Sequence, residues 1–270
     1  MNAQEPAVPL VQRLVLASTS RAADGGYLAL ADLAQIAAAL DADYRIIGGH
    51  MVTLLTEAHG VAGQVPLRET LDADFGALPQ VIADPRLPKA LRDRGYAAHG
   101  AANRFARRQE DAQGWLDVVI DVLAPSYEGR LLPNQAHGDL VVDEVPGLAL
   151  ALVRPAATVD LEVCLSGGGD LEMRIALPDL ASALCVKALA YRGRYADKDA
   201  VDLWRLMSAA HATGLRADTW PATLTGREAA AVLHKFFGRP GAAGLRQATH
   251  RPAEQTRMRA LIQAVVPRPV

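Results

Sequence analysis

The sequence predicts an α+β fold in two lobes, a mixed-sheet lobe over residues 1–177 that includes the N-terminal helices, and an all-helical lobe over 178–270. Short apolar runs with period-two alternation are interleaved with helical segments as far as Leu177. From Pro178 onward the apolar residues recur at helical spacing. No long linker or internal repeat separates the halves, so the lobes are expected to share a cleft.

Residues 27–41, YLALADLAQIAAALD, read as a helix because Leu33, Ile36 and Leu40 fall on one face. YRII at 44–47 is a short strand that stops at Gly48 and Gly49, and residues 50–58 continue as a helix. GVAGQVPLR is a loop by its Gly and Pro content, and TLDADFGAL alternates as the next strand. A helix around PKALRDRGY and a strand at NRFARRQ precede GWLDVVIDVLAP, the strongest strand signal in the chain. There Leu116, Val118, Ile120 and Val122 share one face, and Asp117, Val119 and Asp121 share the other. LALALV, VDLEVCL and LEMRIAL are expected as further β pieces, punctuated by Pro and the Gly167 to Gly169 run. Four helical stretches follow: PDLASALCVKALAYRG, DKDAVDLWRLMSAAHATG with Asp197 as its expected N-cap, REAAAVLHKFFG and QTRMRALIQAVV.

Composition narrows the function classes. Of the 270 residues, 50% are hydrophobic, enough to bury a substantial core. No apolar run approaches the roughly 18–20 residues that span a bilayer, and MNAQEPAVPLVQRL lacks the basic start and apolar centre of a signal peptide, so a cytoplasmic protein without membrane partners is expected. Cys164 and Cys185 each lie in an apolar segment, which suits buried reduced thiols rather than a disulfide framework or a zinc site. The formal net charge of -2 argues against a non-specific nucleic-acid binder, but residues 192–270 carry 13 Lys and Arg against 6 Asp and Glu. An acidic front and a basic back suit a metal-loaded site beside a phosphate-attracting surface, and equally a solvated helical surface rich in arginine.

RETLDADFG carries the first chemical signal. Side chains two apart on a strand point the same way, so Asp72 and Asp74 share a face with Thr70 and Arg68 in register. Two carboxylates so close repel unless a cation sits between them, and hard oxygen donors suit Mg²⁺; the alternative is a solvated strand face. Asp121 lies in the apolar run VVIDVL, where an unpaired carboxylate costs several kcal/mol. If its strand lies beside that of Asp72 and Asp74, three carboxylates converge, the ligand count of a phosphoryl- or nucleotidyl-transfer metal site. Asp117, on the same face nearer the strand's start, is the competing candidate, in less apolar surroundings; for Asp121 itself the alternative role is a structural hydrogen bond to a loop. Upstream, a strand, two glycines and a helix start bring backbone N–H groups and the positive helix end to a phosphate with no Cβ in the way.

Together IIGGH, RETLDADFG, VVIDVL and LCVKALAYRGRYADKDAVDLWRLM, which span residues 44–207 in this order, resemble the nucleotidyltransferase superfamily with a polymerase-β-like core, and within it the AbiEii/AbiGii (MenT-like) toxin family. The resemblance implies a nucleotidyltransferase-type mixed sheet lobe followed by the helical lobe. It places Gly48 and Gly49 under the nucleotide phosphates, Asp72, Asp74 and Asp121 on Mg²⁺, and Lys187 with Asp199 completing the site from the helical side. It further implies an NTP donor, a tRNA 3′ end as acceptor, and a toxin with a cognate antitoxin partner. Two departures stand out. His50 follows the glycines where the family usually has Ser or Thr, and 22 residues separate Gly49 from Asp72, more than in the family's shortest forms.

Read physically, Lys187 is surrounded by Leu184, Cys185, Val186, Ala188 and Leu189, so its ammonium either snorkels outward or reaches a charged cleft. Asp199 and Asp202 stand one turn apart on the next helix, where Asp199 fits either catalysis or a helix-dipole contact. Arg68, Tyr191 and Trp204 are candidate nucleotide contacts with ordinary packing alternatives. Two other functions share this core: nucleotide transfer to a small hydroxylated molecule, as in antibiotic adenylyltransferases, and a non-catalytic nucleotide-binding relative. Against the latter, an idle site has no reason to tolerate crowded carboxylates.

Overall fold

The computed structural model describes residues 12–111 and 114–269; the N-terminal reading of residues 1–11 lies outside them. Among the described residues two mixed sheets and ten α-helices make an α+β architecture. In the smaller sheet β9 (Ala157–Cys164) is central, parallel to β1 (Gln12–Ala17) and antiparallel to β10 (Asp170–Leu177). The larger sheet has the order β2 (Tyr44–Ile47), β3 (Asp72–Ala77), β6 (Gly114–Ser126), β5 (Ala101–Asp111), β4 (Ala97–His99). Beside the C-terminal end of β6 runs β8 (Leu140–Pro146), which also pairs with β7 (Leu132–His137).

The long strand β6 organises this sheet. Val118, Ile120 and Val122 are fully buried on one face, as their alternation predicts, and helix α1 (Arg21–Leu40) packs against that face. β3 lies beside β6 in parallel, with Asp72 opposite Val119 and Asp74 opposite Asp121. β5 lies on the other side in antiparallel register, with Arg104 opposite Asp121 and Arg108 opposite Asp117. Adjacent strand residues point to opposite faces, so Arg104, Asp72, Asp74 and Asp121 share the face away from α1. On the α1 side Arg107 meets Asp32 at 2.9 Å, and Tyr96 donates to the same carboxylate at 2.7 Å.

Several sequence expectations are corrected. α1 begins at Arg21, six residues before the expected start, because the Ser20 hydroxyl accepts from the Ala23 N–H and caps it. LALALV forms helix α5 (Leu148–Val153), not a strand: both its faces are apolar, so alternation carries no directional signal there. Asp197 is the first residue of its helix rather than the cap, which is Ala196. Cys185 is buried as expected, whereas Cys164, at the end of β9, is exposed; both are free thiols. After β10 the described chain is helical: α6 (Leu180–Arg194), α7 (Asp197–Ala212), α8 (Leu224–Phe237), α9 (Ala243–Ala248) and α10 (Pro252–Val265). No helix among the described residues is long and apolar enough to cross a membrane.

Asp24, buried in α1, ties the two sheets' connections together. Its carboxylate accepts from the Ser166 N–H at 2.9 Å, the Ser166 hydroxyl at 2.8 Å and the Gly167 N–H at 3.0 Å. Burial pushes its pKa up, but these hydrogen bonds outweigh it and hold the group below its ordinary value. The stabilisation is therefore complete above the unfolded carboxylate pKa of about 3.9 and is lost as pH falls below it. Asp24→Ala is expected to cost about 1.5–3 kcal/mol at pH 7. Urea unfolding should show that deficit shrinking towards pH 3; an equal deficit at both pH values would mean the contacts act without the charge.

Candidate functional site

The larger sheet's open face, the start of helix α2 (Gly48–Ala58) and helix α6 enclose a cleft, with α7 packed against α6. Its cavity, about 190 Å³, has Gly48 and Asp74 on one wall and Lys187 and Arg194 on the other, with Leu123, Val145 and Leu189 among its apolar lining. Gly48 sits at φ +70°, in the left-handed region, and a Cβ there would stand 1.7 Å from Asp74 Oδ2. Glycine is required on both counts. No side chain caps the N-terminus of α2, so its first N–H groups remain available beside Asp74.

The carboxylates predicted from sequence do come together. Asp74 and Asp121 face each other across the parallel β3–β6 ladder, and Asp72 is two residues from Asp74 on the same face. Between Asp72 and Asp121, however, stands a group that the sequence reading missed. Arg104 donates through Nε to Asp121 Oδ1 at 2.9 Å and through Nη2 to Asp121 Oδ2 and Asp72 Oδ2, each at 2.7 Å. Asp74 is left out: its carboxylate accepts no hydrogen bond and forms no ion pair among the described residues. Burial, then the neighbouring charges of Asp72 and Asp121, push its pKa up to about 7, against a smaller opposing pull from Lys187 and Arg194. Among the described residues no three His, Cys, Asp or Glu side chains form a ready-made metal cage. The donor chemistry nevertheless fits Mg²⁺: hard carboxylate oxygens on one sheet face, with the Asp74 carboxylate unpartnered among the described residues in the wall of the cleft.

Lys187 does not snorkel. Its ammonium donates to Asp202 Oδ2 at 2.7 Å and lies 3.8 Å from Asp199 Oδ1. Arg68 adds two hydrogen bonds to Asp202, at 3.0 and 2.9 Å, and Arg194 two to Asp199, at 3.1 and 2.9 Å. Both aspartates are 0% exposed. Three cations thus meet two carboxylates, and the surplus positive charge faces the wall carrying Asp74. As placed, Asp199 positions Lys187 and Arg194; buried behind them, it does not line the cleft. Asp202, which one-turn spacing marked only as a neighbour of Asp199, is the hub of the network.

Gly49, His50 and Arg68 are set back from the cleft. A Cβ at Gly49 would meet Thr70 Oγ1 at 2.2 Å and Arg68 Nη1 at 3.0 Å, so this glycine admits the strand's approach rather than a ligand. His50, which stands where the family usually has Ser or Thr, does not line the cleft. Its ring is 2% exposed, 5.1 Å from the Tyr27 ring, and lines a separate cavity with Thr70 and Arg205. Close approach of α1 at Gly26, where a Cβ would be 2.5 Å from His50 Nε2, turns it that way. Burial lowers its pKa to about 4, leaving it neutral at pH 7. Tyr191 and Trp204 are core residues: Tyr191 packs on Phe236 and Phe237 and donates to Gln247, and Trp204 is buried.

Along the open face beyond Asp72 runs a groove lined by Leu71, Arg104, Asp117 and Trp115. Trp115 is 63% exposed.

A scan against models of known protein families matches nothing in this chain, and a search of curated proteins finds no match either.

Proposed function

We propose that this protein is a Mg²⁺-dependent nucleotidyltransferase, its mixed-sheet lobe holding the metal and both lobes contributing to the phosphate site. The observation that carries the proposal is the register of Asp74 with Asp121 on adjacent strands, with Asp74 lining the same cleft as Gly48 and Lys187. Asp72, Asp74 and Asp121 would hold Mg²⁺, which when bound neutralises triphosphate charge and activates the attacking hydroxyl. The N–H groups at the start of α2, with Lys187 and Arg194, bind the phosphates. The apolar wall of Leu123, Val145 and Leu189 takes the base and excludes water. An acceptor hydroxyl oxygen attacks the α-phosphorus; the new O–P bond forms as the α–β bridging bond breaks, pyrophosphate leaves, and the hydroxyl proton passes to a carboxylate oxygen of the cluster.

The groove beyond Asp72 is the side from which the acceptor enters, and exposed Trp115 offers its base a stacking surface. The acceptor proposed is a tRNA 3′ end, and the protein is proposed to act in the cytoplasm as the toxin of a toxin–antitoxin pair; both rest on the motif resemblance. Trp115→Ala should weaken binding of short single-stranded RNA by about 5- to 100-fold, the scale of one lost base stack, with NTP affinity unchanged. Trp204 and Trp220 are buried, so quenching of the exposed tryptophan reads this binding directly. Weak salt dependence and no effect of the substitution would favour a small hydroxylated acceptor instead.

Calorimetric titration of the four NTPs with Mg²⁺, on the wild type and on an Asp72→Ala, Asp74→Ala double variant, tests the core reading. Preferential binding of one NTP, abolished in the variant, is expected. One observation favours a second reading, a non-catalytic nucleotide-binding relative: Arg104 lets Asp72 and Asp121 coexist without a metal. Nucleotide binding indifferent to Mg²⁺ and to the double substitution would select it.

A further inference from the structure

We propose that Arg104 is an exchangeable internal counter-ion which a divalent cation must displace from Asp121, so that the metal site of the free protein is closed and its metal affinity is set by this one side chain. The inference rests on the metal reading given above.

Three features of the site lead to it. First, the guanidinium engages both oxygens of Asp121 and one of Asp72, at 2.7–2.9 Å, and these are two of the three carboxylates a metal would need. A guanidinium keeps its charge at any working pH, so it yields this position only to a competitor and never by losing a proton. Second, the hold is one-sided. The Arg104 side chain is 37% exposed whereas that of Asp121 is 11% exposed, so the arginine can swing into the groove while the carboxylate stays fixed in β6. Third, Asp74 is not part of that pairing and has no hydrogen-bond or ion-pair partner among the described residues, which leaves one carboxylate in the cleft wall for an incoming ion to contact first. A compact dication concentrates more charge on carboxylate oxygens than a delocalised guanidinium does, so exchange is the expected outcome once the ion is present. The displaced Arg104 remains on the groove side of Asp72, among residues that also include Trp115, where it would meet a phosphate of the acceptor strand.

A purely structural Arg104 would behave differently: its removal would loosen Asp72 and Asp121 and leave metal binding unchanged or weaker. The test is calorimetric titration of Mg²⁺ alone, without nucleotide, into the wild type, Arg104→Gln and Arg104→Lys. Arg104→Gln is expected to bind Mg²⁺ roughly 10- to 100-fold more tightly than the wild type, because one or two charge-assisted hydrogen bonds no longer have to be broken. Arg104→Lys, which keeps the charge without the two-pronged grip, should fall between them. A second measurement needs no change in the site. The Arg104 Nε–H resonance, identified by its absence from the Lys variant, should move on Mg²⁺ addition and stay in place with NaCl at equal ionic strength.

Equal or weaker Mg²⁺ binding by a folded Arg104→Gln protein, or an Nε–H signal unmoved at saturating metal, overturns the proposal and leaves the metal reading intact. If no form binds Mg²⁺ or Mn²⁺, both fall together. Should the Gln variant fail to fold, as judged by circular dichroism, the Lys variant and the wild-type resonance decide.

Discussion

Replacing Lys187 by Met is expected to destabilise the protein by about 3–5 kcal/mol, the scale on which breaking a buried ion pair strands its partner. Lys187 is the member of the network that reaches both Asp199 and Asp202, and both aspartates are fully buried. With the ammonium gone, Arg68 still serves Asp202 and Arg194 still serves Asp199, but each of those arginines is partly exposed and each serves a single carboxylate. A Met side chain fills much of the same volume, which separates the loss of charge from the opening of a cavity. Urea unfolding at pH 7 is the measurement, with an unchanged m-value identifying a loss of native-state stability. A loss below about 1 kcal/mol would place the network among solvated pairs and would remove the reason for assigning the cleft's positive wall to Lys187. Loss of NTP affinity should accompany the destabilisation and persist at temperatures where the variant remains fully folded.

Much of this site is written in local pattern. Period-two alternation in GWLDVVIDVL places Asp121 opposite the buried Val118, Ile120 and Val122, and the same period places Asp72 with Asp74. Alternation cannot say which elements become neighbours, and the partners that sequence reading missed within the site lie at that level. Arg104 sits in NRFARRQ as one of three arginines; only the antiparallel register of β5 with β6 selects it, rather than Arg107 or Arg108, to meet Asp121. Arg107 turns to Asp32 on the opposite face and Arg108 pairs with exposed Asp117. The same limit applies to Lys187, whose apolar neighbours on α6 are compatible with either direction until α7 docks and presents Asp202. His50 shows the converse case. The family pattern has a hydroxyl residue at its position, while Gly26 on α1 makes room for its ring on the far side of α2. Helix α5 escaped because a six-residue run that is apolar on every side has no face for a period to mark.

Asp74→Asn should separate stability from function at a single atom. With its pKa raised to about 7, the folded state of the wild type keeps a proton on Asp74 over a pH range in which the unfolded chain has released it at about 3.9. The metal-free wild type therefore loses stability as pH rises between about 4 and 7, at up to about 1.4 kcal/mol per pH unit from this group, and the full loss is present at pH 8. An amide of the same shape carries no charge at any of these pH values, so the variant should lack this slope and unfold at higher urea concentration than the wild type at pH 8. Mg²⁺ should recover the wild type's stability at that pH by binding the ionised carboxylate, and should leave the variant unchanged. Mg²⁺-dependent NTP binding should meanwhile weaken by at least about 100-fold, since removal of a direct ligand exceeds the effect of altering the groups that merely orient one. Parallel pH–stability curves for the two proteins would mean that neither burial nor the charges of Asp72 and Asp121 raise the Asp74 pKa. Undiminished Mg²⁺–NTP binding by the variant would move the nucleotide site away from β3 altogether. A gain in metal-free stability with loss of metal-dependent binding is the signature of a carboxylate held in an unfavourable position for the sake of a cation.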